Sequence, residues 1–315
     1  MEKTDGFIVF DNVSFEYPGG DDEKTGGETA EGSLTASGEP SGTSEPSATS
    51  GSGRKYAVSN LNFRVNKGEF VCVLGRNGSG KSTVARLMNG ILLPTEGHVY
   101  VDGEDTAETK DLWEIRRKVG MCFQNPDNQI IATSVEEDVA FGLENIGVER
   151  EEMINRVDEA LRVCGIEKYR KKEPHLLSGG QKQRVAVAGI LAMKPSCIVL
   201  DESTSMLDPK GRRSVLNIVT KLNKEDGITV ILITHHMDET PGCDRIYLID
   251  EGRLVKEGTP KEIFSDRATV FELGLELPPT AELFSRLKED GLDVPDAVLG
   301  IDEGLKVLFK SLSIN

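Results

Sequence analysis

The run from Gly75 through Arg76, Asn77, Gly78, Ser79, Gly80, Lys81 and Ser82 to Thr83 satisfies GxxxxGK[ST] in full. These residue types suit one kind of chemistry. Gly75, Gly78 and Gly80 let the backbone curl so that successive N–H groups point inward at phosphate oxygens, where a Cβ would obstruct. A helix starting near Lys81 adds the positive end of its dipole. Lys81 is expected to reach the β- and γ-phosphates of ATP, and Ser82 to offer its hydroxyl to Mg²⁺.

A second element is CIVLDE at 197–202. A carboxylate ending a buried strand, Asp201, is placed to hold Mg²⁺ through water, and Glu202 to polarise an attacking water. The competing reading of Glu202 is a solvated charge at a strand end. A third element is LSGGQ at 177–181, which sets Ser178, Gly179 and Gly180 ahead of Gln181 at a further helix start. Such a start attracts anions, although serine and glycine also serve there as plain caps.

Around these residues the chain alternates strands and helices. VCVL (71–74), CIVL (197–200) and ITVILI (228–233) are apolar without alternation, as strands buried on both faces are. KVGMCFQ reads as another buried strand and GHVYVDGED as an edge strand with its turn. IVFDNVSFEY and LNFRV, near the N-terminus, alternate as antiparallel strands do. Between 134 and 170 the pattern is helical, with Met153, Val157, Leu161 and Cys164 on one face. DRIYLIDEGRLVKEG is a hairpin turning at Glu251-Gly252. The expected fold is α/β, a P-loop NTPase with a mostly parallel sheet, N-terminal antiparallel strands and an inserted helical subdomain. We expect a nucleotide-binding domain over 1–270, its helical subdomain at about 125–178, and a small C-terminal appendage at 271–315.

Composition limits the alternatives. A net charge of −16 argues against broad contact with nucleic acid. Five cysteines occur with no CxxC pair, three of them in apolar runs, so buried packing is expected rather than a metal site or disulfide. No signal peptide is visible and no apolar run approaches the roughly 18 residues of a membrane span, so membrane contact is expected through partners only. Gly, Ser, Thr and Pro make up 23 of the 35 residues at 19–53. That segment reads as a disordered low-complexity insertion.

LSGGQ together with GRNGSGKST, Gln124, the 197–202 carboxylates, SMLD at 205–208 and His235 resembles the nucleotide-binding subunit of an ABC transporter across residues 7–265. FQNPDNQIIATSVEEDVAFGLEN (123–145), ITHHMDE (233–239) and EGTPKEIFS (257–265) are most similar to ATPases of energy-coupling factor (ECF) transporters, FQNPDNQ to the first of two such subunits. The resemblance implies a head-to-tail ATPase dimer in which Ser178 and Gly180 of one subunit close over the γ-phosphate at the partner's cradle. It implies that Gln124 senses Mg²⁺ and the attacking water, that His235 rather than His236 contacts the γ-phosphate, that Asp208 couples the two sites, and that Tyr17 stacks on adenine. It further implies a second ATPase subunit, a transmembrane coupling subunit and a separate substrate-capture membrane protein. Uptake of a vitamin or metal ion from a peripheral position on the cytoplasmic face of the cell membrane would follow. A groove around 124–145, including Phe141, would convey motion to the membrane partner. Two departures stand out: the insertion directly after Tyr17-Pro18, and Ser203 where proline is commoner. The alternative reading is a soluble ABC ATPase acting on nucleic acid or ribosomes.

Overall fold

The computed structural model describes residues 6–18, 56–295 and 297–311. The expected insertion at 19–53 lies outside them.

The strands are β1 (Ile8–Phe15), β2 (Val58–Val65), β3 (Phe70–Leu74), β4 (Glu96–Val101), β5 (Glu104–Asp105), β6 (Val119–Cys122), β7 (Cys197–Asp201), β8 (Thr229–Ile233), β9 (Arg245–Asp250) and β10 (Arg253–Gly258). The helices are α1 (Lys81–Met88), α2 (Leu112–Lys118), α3 (Val135–Asn145), α4 (Arg150–Val163), α5 (Gly179–Ala192), α6 (Pro209–Asp226), α7 (Pro260–Ser265), α8 (Arg267–Glu272), α9 (Pro279–Glu289) and α10 (Ile301–Ser311). They build two sheets. One is antiparallel with order β2-β1-β4-β5; the other runs β10-β9-β3-β8-β7-β6 and is parallel throughout except at the β9–β10 hairpin. GHVYVDGED is therefore not one edge strand: β4 lies inside its sheet, and the two-residue β5 forms the edge.

Every residue of β3, β7 and β8 is buried, and the two-residue period divides them between two cores. Phe70, Cys72, Leu74, Ile198, Leu200, Val230 and Leu232 face one cluster, which also takes α3, α4, α5 and α6. Val71, Val73, Cys197, Val199, Ile231 and Ile233 face the other, shared with α1 and the antiparallel sheet. The central strands thus have no solvent side, which explains their unbroken hydrophobicity.

The helical stretch at 134–170 divides at Gly147, whose φ of +69° ends α3's continuation. A capping box from Ser134 and Glu137 starts α3, and Val157 and Leu161 of α4, with Cys164 at its C-cap, are buried in the first core with Met153 packed against it. Past α8 the chain contributes Leu273, Leu275, Leu277, Ala281 and Leu299 to that same core, while Phe284, Val294 and Val298 form a small cluster of their own. All five cysteines are buried and free. Among the described residues no helix is long and apolar enough to cross a membrane.

Candidate functional site

The cradle occupies the turn between β3 and α1. Its glycines act for different reasons. A Cβ on Gly75 would come within 2.1 Å of the Ile249 carbonyl oxygen, so this glycine lets the loop seat against β9. Packing against β9 thus requires this glycine, a reason beyond the phosphate access read from the sequence. Gly78, by contrast, has φ of +81° and open space around it, and Gly80 has φ of +99° with the Ala57 carbonyl oxygen 2.6 Å from any added Cβ. Gly80 caps α1 with no side chain over the helix end, which leaves backbone N–H groups available to an anion.

Lys81 is 4% exposed. Its Nζ donates hydrogen bonds of 2.9 Å to the carbonyls of both Gly75 and Arg76 and lies 3.5 Å from Glu202 Oε1. Burial lowers its pKa, and the Glu202 and Asp201 carboxylates oppose that shift. Ser82 Oγ donates to Asp201 Oδ1 at 2.9 Å. Asp201, at the end of β7, has its pKa raised by burial, which the Ser82 hydrogen bond partly offsets. Hydroxyl and carboxylate form an all-oxygen pair of the kind a small hard cation accepts.

Glu202 follows directly, in a left-handed conformation (φ +47°), its N–H held by the carbonyl at the end of β8, Ile233, at 3.0 Å. Left-handed backbone at a non-glycine residue is held only by surrounding structure and is frequent at working sites. Around its carboxylate gather Lys81, Gln124 Nε2 (3.4 Å) and His235 Nδ1 (3.5 Å). Of the two adjacent histidines, His235 is the one beside Glu202, and the rings lie 4.2 Å apart. Tyr17 OH stands 3.1 Å from Thr83 Oγ1, and Tyr17, Asn77, Lys81, Gln124 and Glu202 line one cleft of about 440 Å³. Arg76 and His235 line the neighbouring cavity. Ser79, also in the loop, is buried.

The structure keeps the other predicted residues apart from this cleft. Ser178 and Gly179 are exposed at the start of α5, and none of Ser178, Gly179, Gly180 or Gln181 lines the cleft. Gln181 folds back, accepting from the Ser178 N–H at 3.0 Å and donating to Tyr169 OH at 2.9 Å. Asp208 caps α6 by accepting from the Gly211 N–H at 2.9 Å. Sequence reasoning missed Ser205, whose Oγ accepts from Gln124 at 3.4 Å and donates to the Glu202 carbonyl at 2.8 Å. It also missed Gly274 to Glu276, which join Gly75, Arg76, Asn77 and the two histidines around a cavity of about 500 Å³. The SMLD run held the signal for Ser205; nothing local points to Gly274. Ser203, in the place where proline is commoner, is 1% exposed, and its hydroxyl finds no partner among the described residues.

The ABC transporter family profile matches residues 58–205. The chain is 54% identical over 254 residues to the energy-coupling factor transporter ATP-binding protein EcfA1 of Clostridium perfringens, covering 81% of this chain and 90% of that protein. The chain belongs to the energy-coupling factor transporter ATP-binding proteins of the ABC family. As a member it is an ATP-binding, ATP-hydrolysing transport ATPase. Its fold agrees: the structure of cbiO1 from Clostridium perfringens, part of the ABC transporter complex cbiONQ, superposes with a TM-score of 0.68 at 32% identity, covering 90% of this chain and 99% of that one. The dimeric ATP-binding cassette MJ0796, bound to ADP and phosphate, superposes with a TM-score of 0.64 at 31% identity over 80% of this chain and 98% of that one.

Proposed function

We propose that this ECF ATPase works as one half of a head-to-tail pair and that the pair drives uptake of a vitamin or a metal ion through membrane partners. The observation that carries the reading is the separation just described. One chain holds two anion-seeking helix starts, at Gly80 and at Ser178, and only the first opens on the cleft. Ser178, which caps α5, and Gly180 would then close over a phosphate held in the cradle of another subunit.

Within each cleft the roles divide by chemistry. The backbone of Gly75 to Ser82 wraps the phosphates, and Lys81 exchanges its two carbonyl partners for phosphate oxygens. Ser82, Asp201 and Gln124 would hold Mg²⁺, which would supply charge neutralisation on the phosphates. Glu202 orients and polarises water, His235 steadies the developing charge beside it, and Tyr17 offers its ring to adenine. Asp208, at the cap of α6, links one cleft to the other. Phe141 on α3, 44% exposed, would take part in the surface around 124–145 that receives a transmembrane coupling subunit. A second ATPase subunit, a paralogue or a second copy of this chain, and a substrate-capture membrane protein complete the complex, with this chain peripheral on the cytoplasmic side. The relatives' names and the net charge of −16 favour this reading over action on nucleic acid.

Ser178→Arg tests the pairing. Nucleotide binding by the single chain should persist within about twofold, because Ser178 lies outside the cleft, while hydrolysis by the complex should fall on the order of a hundredfold. Full hydrolysis by Ser178→Arg would end the head-to-tail reading.

A further inference from the structure

Eleven buried side-chain polar atoms lack a hydrogen bond among the described residues, and four of them belong to three neighbouring residues: Arg212 Nε, His236 Nε2 and both carboxylate oxygens of Glu239. Such groups are rarely left unpaired without a reason. The Glu239 side chain is fully buried. Among the described residues its one ionic partner is Arg212, with Nε 3.5 Å from Oε1, while Arg212 Nη1 lies 3.8 Å from Asp238 Oδ1. A buried charge pair at this distance, with no hydrogen bond to complete it, gains little for folding.

Its position suggests another use. Arg212 sits one turn into α6, its N–H bonded at 3.0 Å to the carbonyl of the capping Asp208. Glu239 sits in the short turn after β8, its N–H bonded at 3.2 Å to the carbonyl of His236. The His236 ring lies 4.2 Å from that of His235 and is tilted 38° to it, and His235 Nδ1 is 3.5 Å from Glu202. His236 also feels both ends of the pair: burial lowers its pKa most, then the Arg212 charge, with Glu239 acting in the opposite sense. A continuous line therefore runs from Asp208 through Arg212, Glu239 and His236 to His235 and Glu202.

We propose that Arg212 and Glu239 are positioning residues that carry the placement of the Asp208 turn to His235, so that the attacking-water site is set only when a second subunit has seated that turn. The idea rests on the pairing reading given above and assigns the coupling to two residues outside the cleft. The loose 3.5 Å contact suits a link that shortens in one arrangement and lengthens in the other, since each state needs its own favoured geometry.

The test uses the purified transporter complex. Glu239→Gln is expected to lower kcat about tenfold with KM for ATP within about twofold. The double variant Arg212→Met with Glu239→Met exchanges both charges for apolar groups, which spares the fold, and should be equally slow. A purely structural role predicts recovery of the parental rate in the double variant. That recovery, or an unchanged rate in Glu239→Gln, overturns the proposal. ATP-dependent closure of the ATPase pair, followed by cross-linking in a Glu202→Gln background, should persist when Glu239 is also changed; closure lost only on changing Glu239 would make the pair a support of association and likewise overturn the relay. If Glu202→Gln alone shows no ATP-dependent closure, the pairing reading fails and this inference with it.

Discussion

Ser82 Oγ donates a 2.9 Å hydrogen bond to Asp201 Oδ1, joining the first turn of α1 to the end of β7 across 119 residues of sequence. The bond holds together the two oxygens that we propose receive Mg²⁺. Asp201 bears the cost, since burial raises its pKa and so disfavours the ionised form.

The sign of that cost gives a first prediction. A carboxyl whose pKa is higher in the folded chain stabilises it most at low pH, and the contribution is lost as pH rises through the folded value. At neutral pH the ionised Asp201 carboxylate is therefore held at a penalty. Asp201→Asn keeps an acceptor for Ser82 and removes the charge. In thermal melts without nucleotide its Tm should rise by a few degrees, about 2–4 °C for each kcal/mol. Mg²⁺-dependent phosphate release should fall about a hundredfold. Unchanged phosphate release would take Asp201 out of the cation site.

Glu202→Gln separates binding from turnover. Lys81 keeps its Gly75 and Arg76 carbonyl partners in the variant, so the cradle keeps its shape and nucleotide affinity should stay within a few-fold. Hydrolysis should drop roughly 10²–10⁴-fold, the usual reach of general-base help. Equilibrium binding of a fluorescent ATP analogue beside a steady-state phosphate assay decides the matter; parallel losses in both would reduce Glu202 to a structural part.

Two glycines of one motif should fail differently. Gly75→Ala drives a methyl to within 2.1 Å of the Ile249 carbonyl, and neither backbone can give way without parting β3 from β9. Gly78→Ala meets nothing within 4 Å and suffers only its φ of +81°, a strain of about 1–2 kcal/mol. Urea titration should rank Gly75→Ala as the less stable by a clear margin. Equal midpoints would mean that the contact with β9 relaxes freely.

Acid unfolding should show one carboxylate by name. Asp266 starts α8 by accepting from Thr269, and it pairs with Lys256; these contacts hold its pKa down to about 2, with the Lys256 hydrogen bond the largest cause. A depressed folded pKa contributes stability above the unfolded value, near 3.8, and loses it as pH falls toward 2. Asp266→Asn, which still caps, should unfold more easily at neutral pH, and its stability should converge on the parent's by about pH 2. Circular dichroism across that range measures the convergence.

Much of the fold is legible along the chain because its causes are local. FVCVL, CIVLD and TVILI carry no polar face, so only a sheet covered on both sides can hold them. Glu251 and Gly252, with φ of 45° and 73°, turn the β9–β10 hairpin where that dipeptide led us to expect it. The cradle is legible for the same reason, its spacing being a property of nine consecutive residues. What escaped the sequence depends on distant partners. Gly75 answers to Ile249, Gly274 places its backbone beside the Arg76 side chain, and Arg212 finds Glu239. The last helix, α10, follows Ile301 with Asp302, Glu303 and Gly304 before its apolar residues resume at Leu305, so its pattern is short for a periodic reading.

The buried thiols have a practical consequence. Cys72, Cys122, Cys164 and Cys197 all have pKa values pushed upward by burial, to about 12 for Cys122 and Cys164, and Cys243 is enclosed as well. Thiolate is the species that alkylating dyes attack, so the native chain resists them. One cysteine introduced at an exposed position would take a fluorophore or spin label alone, with no native residue replaced, and unmasking of the five would time the loss of the native state.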